Sequence, residues 1–104
     1  MNSKYLQVLV SAENRQQADI ILNVLLEKKL VTGGQMINAP ARFLWKGKIT
    51  DMDYFTITSF TLEENKEKII EEVKKVSVEE VPMIQFIPFD GNIELLDWID
   101  KTLS

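Results

Sequence analysis

Asp51 and Asp53 flank Met52 in a β-rich stretch. That i, i+2 spacing turns two carboxylates to one side of a strand, where they could hold a hard cation such as magnesium or calcium. Three acidic doublets, Glu63-Glu64, Glu71-Glu72 and Glu79-Glu80, raise the same question, and paired acids are also the equipment of glycoside hydrolysis. No further oxygen ligands stand in a loop frame around the two aspartates, so they read as solvated strand charge. The first two glutamate doublets read as helix surface. No serine has a histidine to activate it, because the chain has no His; Ser59 or Ser77 could act only with a lysine, and no motif supports that. Gly33-Gly34 lacks the lysine or the glycine spacing of a phosphate-binding loop. No catalytic residue, metal ligand or cofactor-binding residue is therefore assigned, and no enzyme activity is expected.

Composition narrows the classes further. With no Cys and no His, a disulfide framework, a thiolate zinc site, a Cys nucleophile and a His base are all excluded. A cysteine-free chain suits a reducing compartment. The net charge is −4 and the only arginines are Arg15 and Arg42, so no nucleic-acid partner is expected. No apolar run approaches the roughly 20 residues of a membrane span. Met1-Asn2-Ser3-Lys4-Tyr5 carries no signal-peptide hydrophobic region, and cytoplasmic residence is the expectation. A length of 104 residues fits one domain, 1–104, that can bury a core without staples.

The elements that must position these side chains can be read from periodicity. Residues 5–11, apolar on both faces, form a central strand. Asn14 caps a helix reaching about Lys29, with Ala18, Ile21, Leu22 and Leu25 on one stripe, and Gly33-Gly34 stops its continuation. Residues 35–46 are extended, with Pro40 marking an edge strand. Lys46-Gly47-Lys48 is a hairpin turn into a second arm, 48–61, with Tyr54, Thr56, Thr58 and Phe60 on one side and Phe55, Ile57 and Ser59 on the other. Thr61 is placed to cap a second helix, with Glu64 in the capping box, running to about Val76 on Ile69, Val73 and Val76. Glu64–Lys68 and Glu71–Lys75 are expected as i, i+4 pairs on it. A strand at 83–87 ends at Pro88, and Asn92 caps a last helix with Ile93, Leu96, Ile99 and Leu103 on one face. The order predicts an α+β fold, the ferredoxin-like split βαβ (βαββαβ) plus a C-terminal helix, with an antiparallel sheet.

Arms of about 10 residues exceed the usual strand of about 5–6. They are loaded with Phe43, Trp45, Tyr54, Phe55 and Phe60. One layer of two helices covers one sheet face, so the face carrying Tyr54 and Phe60 is expected to meet another copy in a closed ring. The expected subunit interface is Phe43, Trp45, Tyr54 and Phe60.

Four landmarks, in order, resemble the CutA family of divalent-cation tolerance proteins. They are the strand Leu6–Ala12 with a helix ending Leu25-Leu26-Glu27-Lys28-Lys29-Leu30; Phe43-Leu44-Trp45-Lys46-Gly47; Val81-Pro82-Met83-Ile84; and Pro88 through Gly91-Asn92 to Leu95-Leu96-Asp97-Trp98-Ile99. The resemblance implies a homotrimer associated with the response to metal ions, acting by binding, signalling or scaffolding. The family's Cys falls at Thr32-Gly33-Gly34, its strand Lys at about Ser59, its His-Pro-Tyr at about Ser77-Val78-Glu79, its Glu at Met83 and its last-helix Tyr at Leu95. The usual Cys and His ligands are thus absent, and no metal site is assigned. A small-molecule ligand, if any, would sit in an inter-subunit cleft near Trp45, Ser59, Glu80 and Pro82. The alternative is a nucleotide-binding regulator of the PII type, which shares the trimeric plan but projects a long loop where this chain has Lys46-Gly47-Lys48. An acylphosphatase-like enzyme would need glycines beside Arg15 that Ser11-Ala12-Glu13-Asn14 does not supply.

Overall fold

A computed structural model describes residues 4–104; Met1-Asn2-Ser3, part of the segment screened for a signal peptide, lie outside the described residues. The elements are β1 (Tyr5–Ala12), α1 (Arg15–Glu27), β2 (Gly34–Trp45), β3 (Lys48–Leu62), a 3-10 turn (Glu63–Asn65), α2 (Lys66–Val76), β4 (Ile84–Pro88) and α3 (Ile93–Leu103). The sheet order is β2-β3-β1-β4 with every pairing antiparallel. This is the split βαβ arrangement expected from the element order, with β1 central and the Pro40 strand at an edge.

Alternation along β1 buries Leu6, Val8, Val10 and Ala12, while Tyr5, Gln7 and Leu9 are only partly covered. Val8, Val10 and Ala12 join Ile57 of β3, the α1 stripe Ala18, Ile21, Leu22 and Leu25, and Ile69 and Val73 of α2 in one core. The Asn14 side chain accepts the Gln17 N–H at 2.8 Å, capping α1 as its residue type favours. The helix ends before the glycine pair: Lys29 takes the left-handed conformation at φ 54, and the Leu30 N–H returns to the Leu25 carbonyl. Gly34 has a different duty. A Cβ there would collide with the carbonyl oxygen of Thr58 on the adjacent strand, so only glycine lets β2 start against β3.

Three expectations give way. Thr61 is not a helix cap; it is the penultimate residue of β3, and its buried hydroxyl donates to the Leu30 carbonyl at 2.6 Å. The 3-10 turn intervenes before α2, so Glu64 lies outside that helix and Lys68 pairs with Glu71 and Glu72 instead. Asn92 stands at the N-cap of α3 without a side-chain capping bond, and Ile93 is exposed rather than part of a buried face. The open face of the sheet is also less bare than two helices would leave it. The third helix, α3, packs against β3, the Tyr5 hydroxyl donates to Asp100 at 2.7 Å, and Phe60 rests on Phe89 with ring centroids 5.3 Å apart. Phe60, expected at a subunit interface, is thus partly covered within its own chain and remains half-buried.

The hairpin outruns the rest. β1 pairs with β3 only as far as Ala12↔Phe55, yet β2 and β3 stay paired to Trp45↔Lys48. Residues 39–45 and 48–54 form a two-stranded ribbon beyond the sheet. Its turn is Lys46-Gly47, both with positive φ (51 and 81), the mirror-image geometry that matches strand twist. The radius of gyration, 14.3 Å, exceeds the roughly 13 Å of a compact chain this long.

Between α1 and α2, Glu72 is a buried carboxylate held by Lys75, Lys28 and Lys68 at 3.1, 3.2 and 3.4 Å. The Lys75 hydrogen bond, joined by those of the other two lysines, outweighs desolvation and holds its pKa at about 2, below the ordinary 4.5. A depressed folded-state pKa contributes stability above the unfolded value that disappears as pH falls through the folded one. Thermal unfolding should show wild type more stable than Glu72→Gln at pH 7, with the gap closing between pH 4.5 and about 2; a gap independent of pH would contradict this. Gly34→Ala should cost more than about 1 kcal/mol in urea unfolding at fixed protein concentration, whereas an unchanged midpoint would mean that β2 does not approach Thr58.

Candidate functional site

Where the ribbon leaves the sheet, its open face looks onto the loop between α2 and β4. The alternation that puts Phe55 and Ile57 toward the helices puts Phe43, Trp45, Met52 and Tyr54 on the opposite side. Phe43 and Tyr54 meet edge to face at 5.5 Å. Together with Val78, Glu79, Glu80, Val81 and Met83 of the loop, and Glu13 after β1, they enclose a cleft of about 320 Å³ whose walls are mainly apolar.

The loop is tied to α1 by the Val78 N–H, which donates to Gln17 Oε1 at 3.2 Å, and to β1 by one buried hydroxyl. Ser11, the penultimate residue of β1, lies on the open face; its Oγ donates to Glu79 Oε2 at 2.8 Å and accepts the Met83 N–H at 2.9 Å, while its own N–H reaches the Met83 carbonyl at 2.9 Å. At the rim, Lys46 Nζ lies 3.2 Å from Glu80 Oε2 and 5.4 Å from the centroid of the Trp45 ring, joining hairpin tip to loop. Burial pushes the Glu79 carboxyl above its ordinary pKa; the Ser11 hydrogen bond opposes that and the like charge of Glu13 adds to it.

Of the residues singled out by sequence, Trp45 and Glu80 come together on this cleft, and Phe43 and Tyr54 join them. Pro82 is half-buried between two lining residues. Ser59 is elsewhere: it pairs with Gly34 at the far end of β2, is buried, and accepts the Gly33 N–H at 3.0 Å. Within one chain it shapes the turn into β2 and does not line the cleft. Asp51 and Asp53 lie on the ribbon's other side, where Arg42 grips Asp51 at 2.6 Å and 3.4 Å. Among the described residues no three His, Cys, Asp or Glu side chains are gathered as a metal-holding group. Ser11, Glu13, Met52 and Met83 escaped the sequence reading. Met52 shares the Tyr54 parity and could have been found from it; the other three required knowing that the loop crosses the end of β1.

A family model described as CutA1 divalent ion tolerance protein matches residues 6–102. The chain is 32% identical over 98 residues to the divalent-cation tolerance protein CutA of Archaeoglobus fulgidus, covering 93% of this chain and 96% of that one. A solved structure described as the periplasmic divalent cation tolerance protein CutA of that organism superposes with a TM-score of 0.91 over 96% of this chain and 99% of its own, at 32% identity. The CutA1 of Oryza sativa reaches a TM-score of 0.91 at 19% identity, covering 99% and 96% of the two chains, a likeness of fold alone.

Ser11→Ala removes the acceptor of the Met83 N–H and the donor to Glu79. It should destabilise by about 1–3 kcal/mol and speed amide exchange at 77–83 selectively; unchanged exchange there would show that the loop is held by other contacts.

Proposed function

The chain belongs to the CutA1 divalent ion tolerance family, and on that premise we propose that it acts without catalysis, as a homotrimeric binding, signalling or scaffolding module. The ribbon carries the proposal. A two-stranded hairpin is marginal in water on its own, and this one exposes apolar side chains on both faces. Leu44 and Ile49 oppose each other and are 77% and 76% exposed, with Trp45 and Met52 on the other face. Large exposed apolar patches mark contact sites, and identical copies close them most economically in a cyclic ring. Phe43, Trp45 and Tyr54 are the interface residues proposed there. A neighbour would supply the outer wall of the cleft and convert it into an inter-subunit ligand site near Trp45, Glu80 and Pro82.

The proposed link to metal ions is indirect, since the chain has neither Cys nor His to capture a soft cation. A nucleotide-binding role of the PII type finds no support: the β2–β3 connection is the two-residue Lys46-Gly47 turn, and no long loop projects there. No helix among the described residues is long and apolar enough to cross a membrane. Work in the cytoplasm is part of the proposal, supported by the absence of cysteine, although the A. fulgidus relative is described as periplasmic.

Native mass spectrometry should give about 36 kDa, three copies of the 12.0 kDa chain. Leu44→Asp with Ile49→Asp should shift the species to monomer while far-ultraviolet circular dichroism stays that of a folded chain. A wild-type monomer at micromolar concentration would end the proposal.

A further inference from the structure

We infer, resting on the ligand role proposed above for the same cleft, that its occupant is a small organic cation. The fit is to an alkyl or aryl ammonium whose apolar body lies among Phe43, Trp45, Tyr54 and Met83 and whose charge meets Glu79 and Glu13. At about 320 Å³ the space is at the small end of ligand sites. Its walls supply aromatic faces, which attract cations, and the polarizable sulfurs of Met52 and Met83. Its charged groups are unbalanced. Glu80 is paired with Lys46, but neither Glu13 nor Glu79 has a cation within ion-pair distance among the described residues. Glu79 is partly buried beside apolar side chains, its carboxylate bonded, among the described residues, only to the neutral Ser11 hydroxyl.

Other occupants meet physical objections. An anion would face two carboxylates. A neutral apolar molecule would desolvate the Glu79 charge further, with a single hydrogen bond from the neutral Ser11 hydroxyl to offset it. A bare divalent metal ion needs about six oxygen ligands, which hydrocarbon and aromatic walls cannot supply. An ammonium answers all three objections, and the rim already displays the chemistry: the Lys46 ammonium sits between the Trp45 ring and the Glu80 carboxylate.

Isothermal titration calorimetry on the full chain, with native mass spectrometry of the same samples, tests this. The probes are 2-phenylethylamine, charged at pH 7, its neutral isostere 2-phenylethanol, and the anion 3-phenylpropanoate. Saturable binding of the amine is expected, at least about tenfold tighter than either isostere. Glu79→Gln, which keeps an acceptor for Ser11, should weaken the amine at least about tenfold and leave the neutral alcohol unchanged. Asp53→Asn, on the ribbon's other side, should change nothing. Equal binding of amine and alcohol, or full retention in Glu79→Gln, overturns the cationic assignment. A trimer that binds none of the three also overturns it, leaving the assembly intact. A monomer defeats the assembly itself, whatever it binds.

Discussion

The structure turns on a mismatch of strand lengths. β2 and β3 run 12 and 15 residues, but the strand beside them, β1, runs 8. Everything beyond Ala12↔Phe55 therefore pairs only with itself. Among the described residues a ribbon of that kind has no further sheet neighbour, and beside charged side chains such as Arg42, Asp51 and Asp53 it carries several large apolar ones of the kind found in interiors. Backbone pairing and a well-formed turn hold its two arms together; neither hides Leu44, Trp45, Ile49 or Met52 from water. The body of the chain has a closed core of its own, although Val78, Val81 and Ile93 outside the ribbon are exposed as well. Two helices seal one sheet face, α3 and Phe89 partly cover the Phe60 end of the other, and no buried side-chain polar atom among the described residues lacks a partner.

The cleft is a consequence of the same overhang. Because β1 stops at Ala12, the loop returning from α2 to β4 can cross its end and approach the ribbon. Ser11 fixes that crossing with three hydrogen bonds. The ribbon brings aromatic rings and the loop brings carboxylates, so an apolar space acquires a negative side without any dedicated insertion. Assembly and ligand binding would then share one structural cause, and a neighbour closing on the ribbon would also change access to the cleft.

Local chemistry made much of the fold legible. Asn14, the α1 stripe, Pro40 at an edge and Lys46-Gly47 at the turn each state their role through a rule that needs no distant partner. What failed depended on distant partners. Thr61 has the form of a cap, but its hydroxyl answers the Leu30 carbonyl 31 residues away. Ser59 falls at the strand end in sequence, yet register places it against Gly34 and Val8, remote from Trp45. That α3 and Phe89 partly cover the Phe60 end of the open face leaves little trace in periodicity: Ile99 is buried while Ile93, on the same predicted stripe, is 71% exposed. Glu72 looked like surface charge beside Glu71. Only the packing of α1 on α2 brings Lys28 to it and reveals a buried, triply paired carboxylate.

Hydrogen–deuterium exchange at the backbone amides of residues 39–54, followed at micromolar protein and after serial dilution, addresses the central claim most directly. If neighbouring copies shelter the ribbon, these amides exchange slowly as a block and lose protection together on dilution, while β1 amides keep theirs. Rapid exchange at every concentration, as for an isolated hairpin fraying in water, would contradict the account.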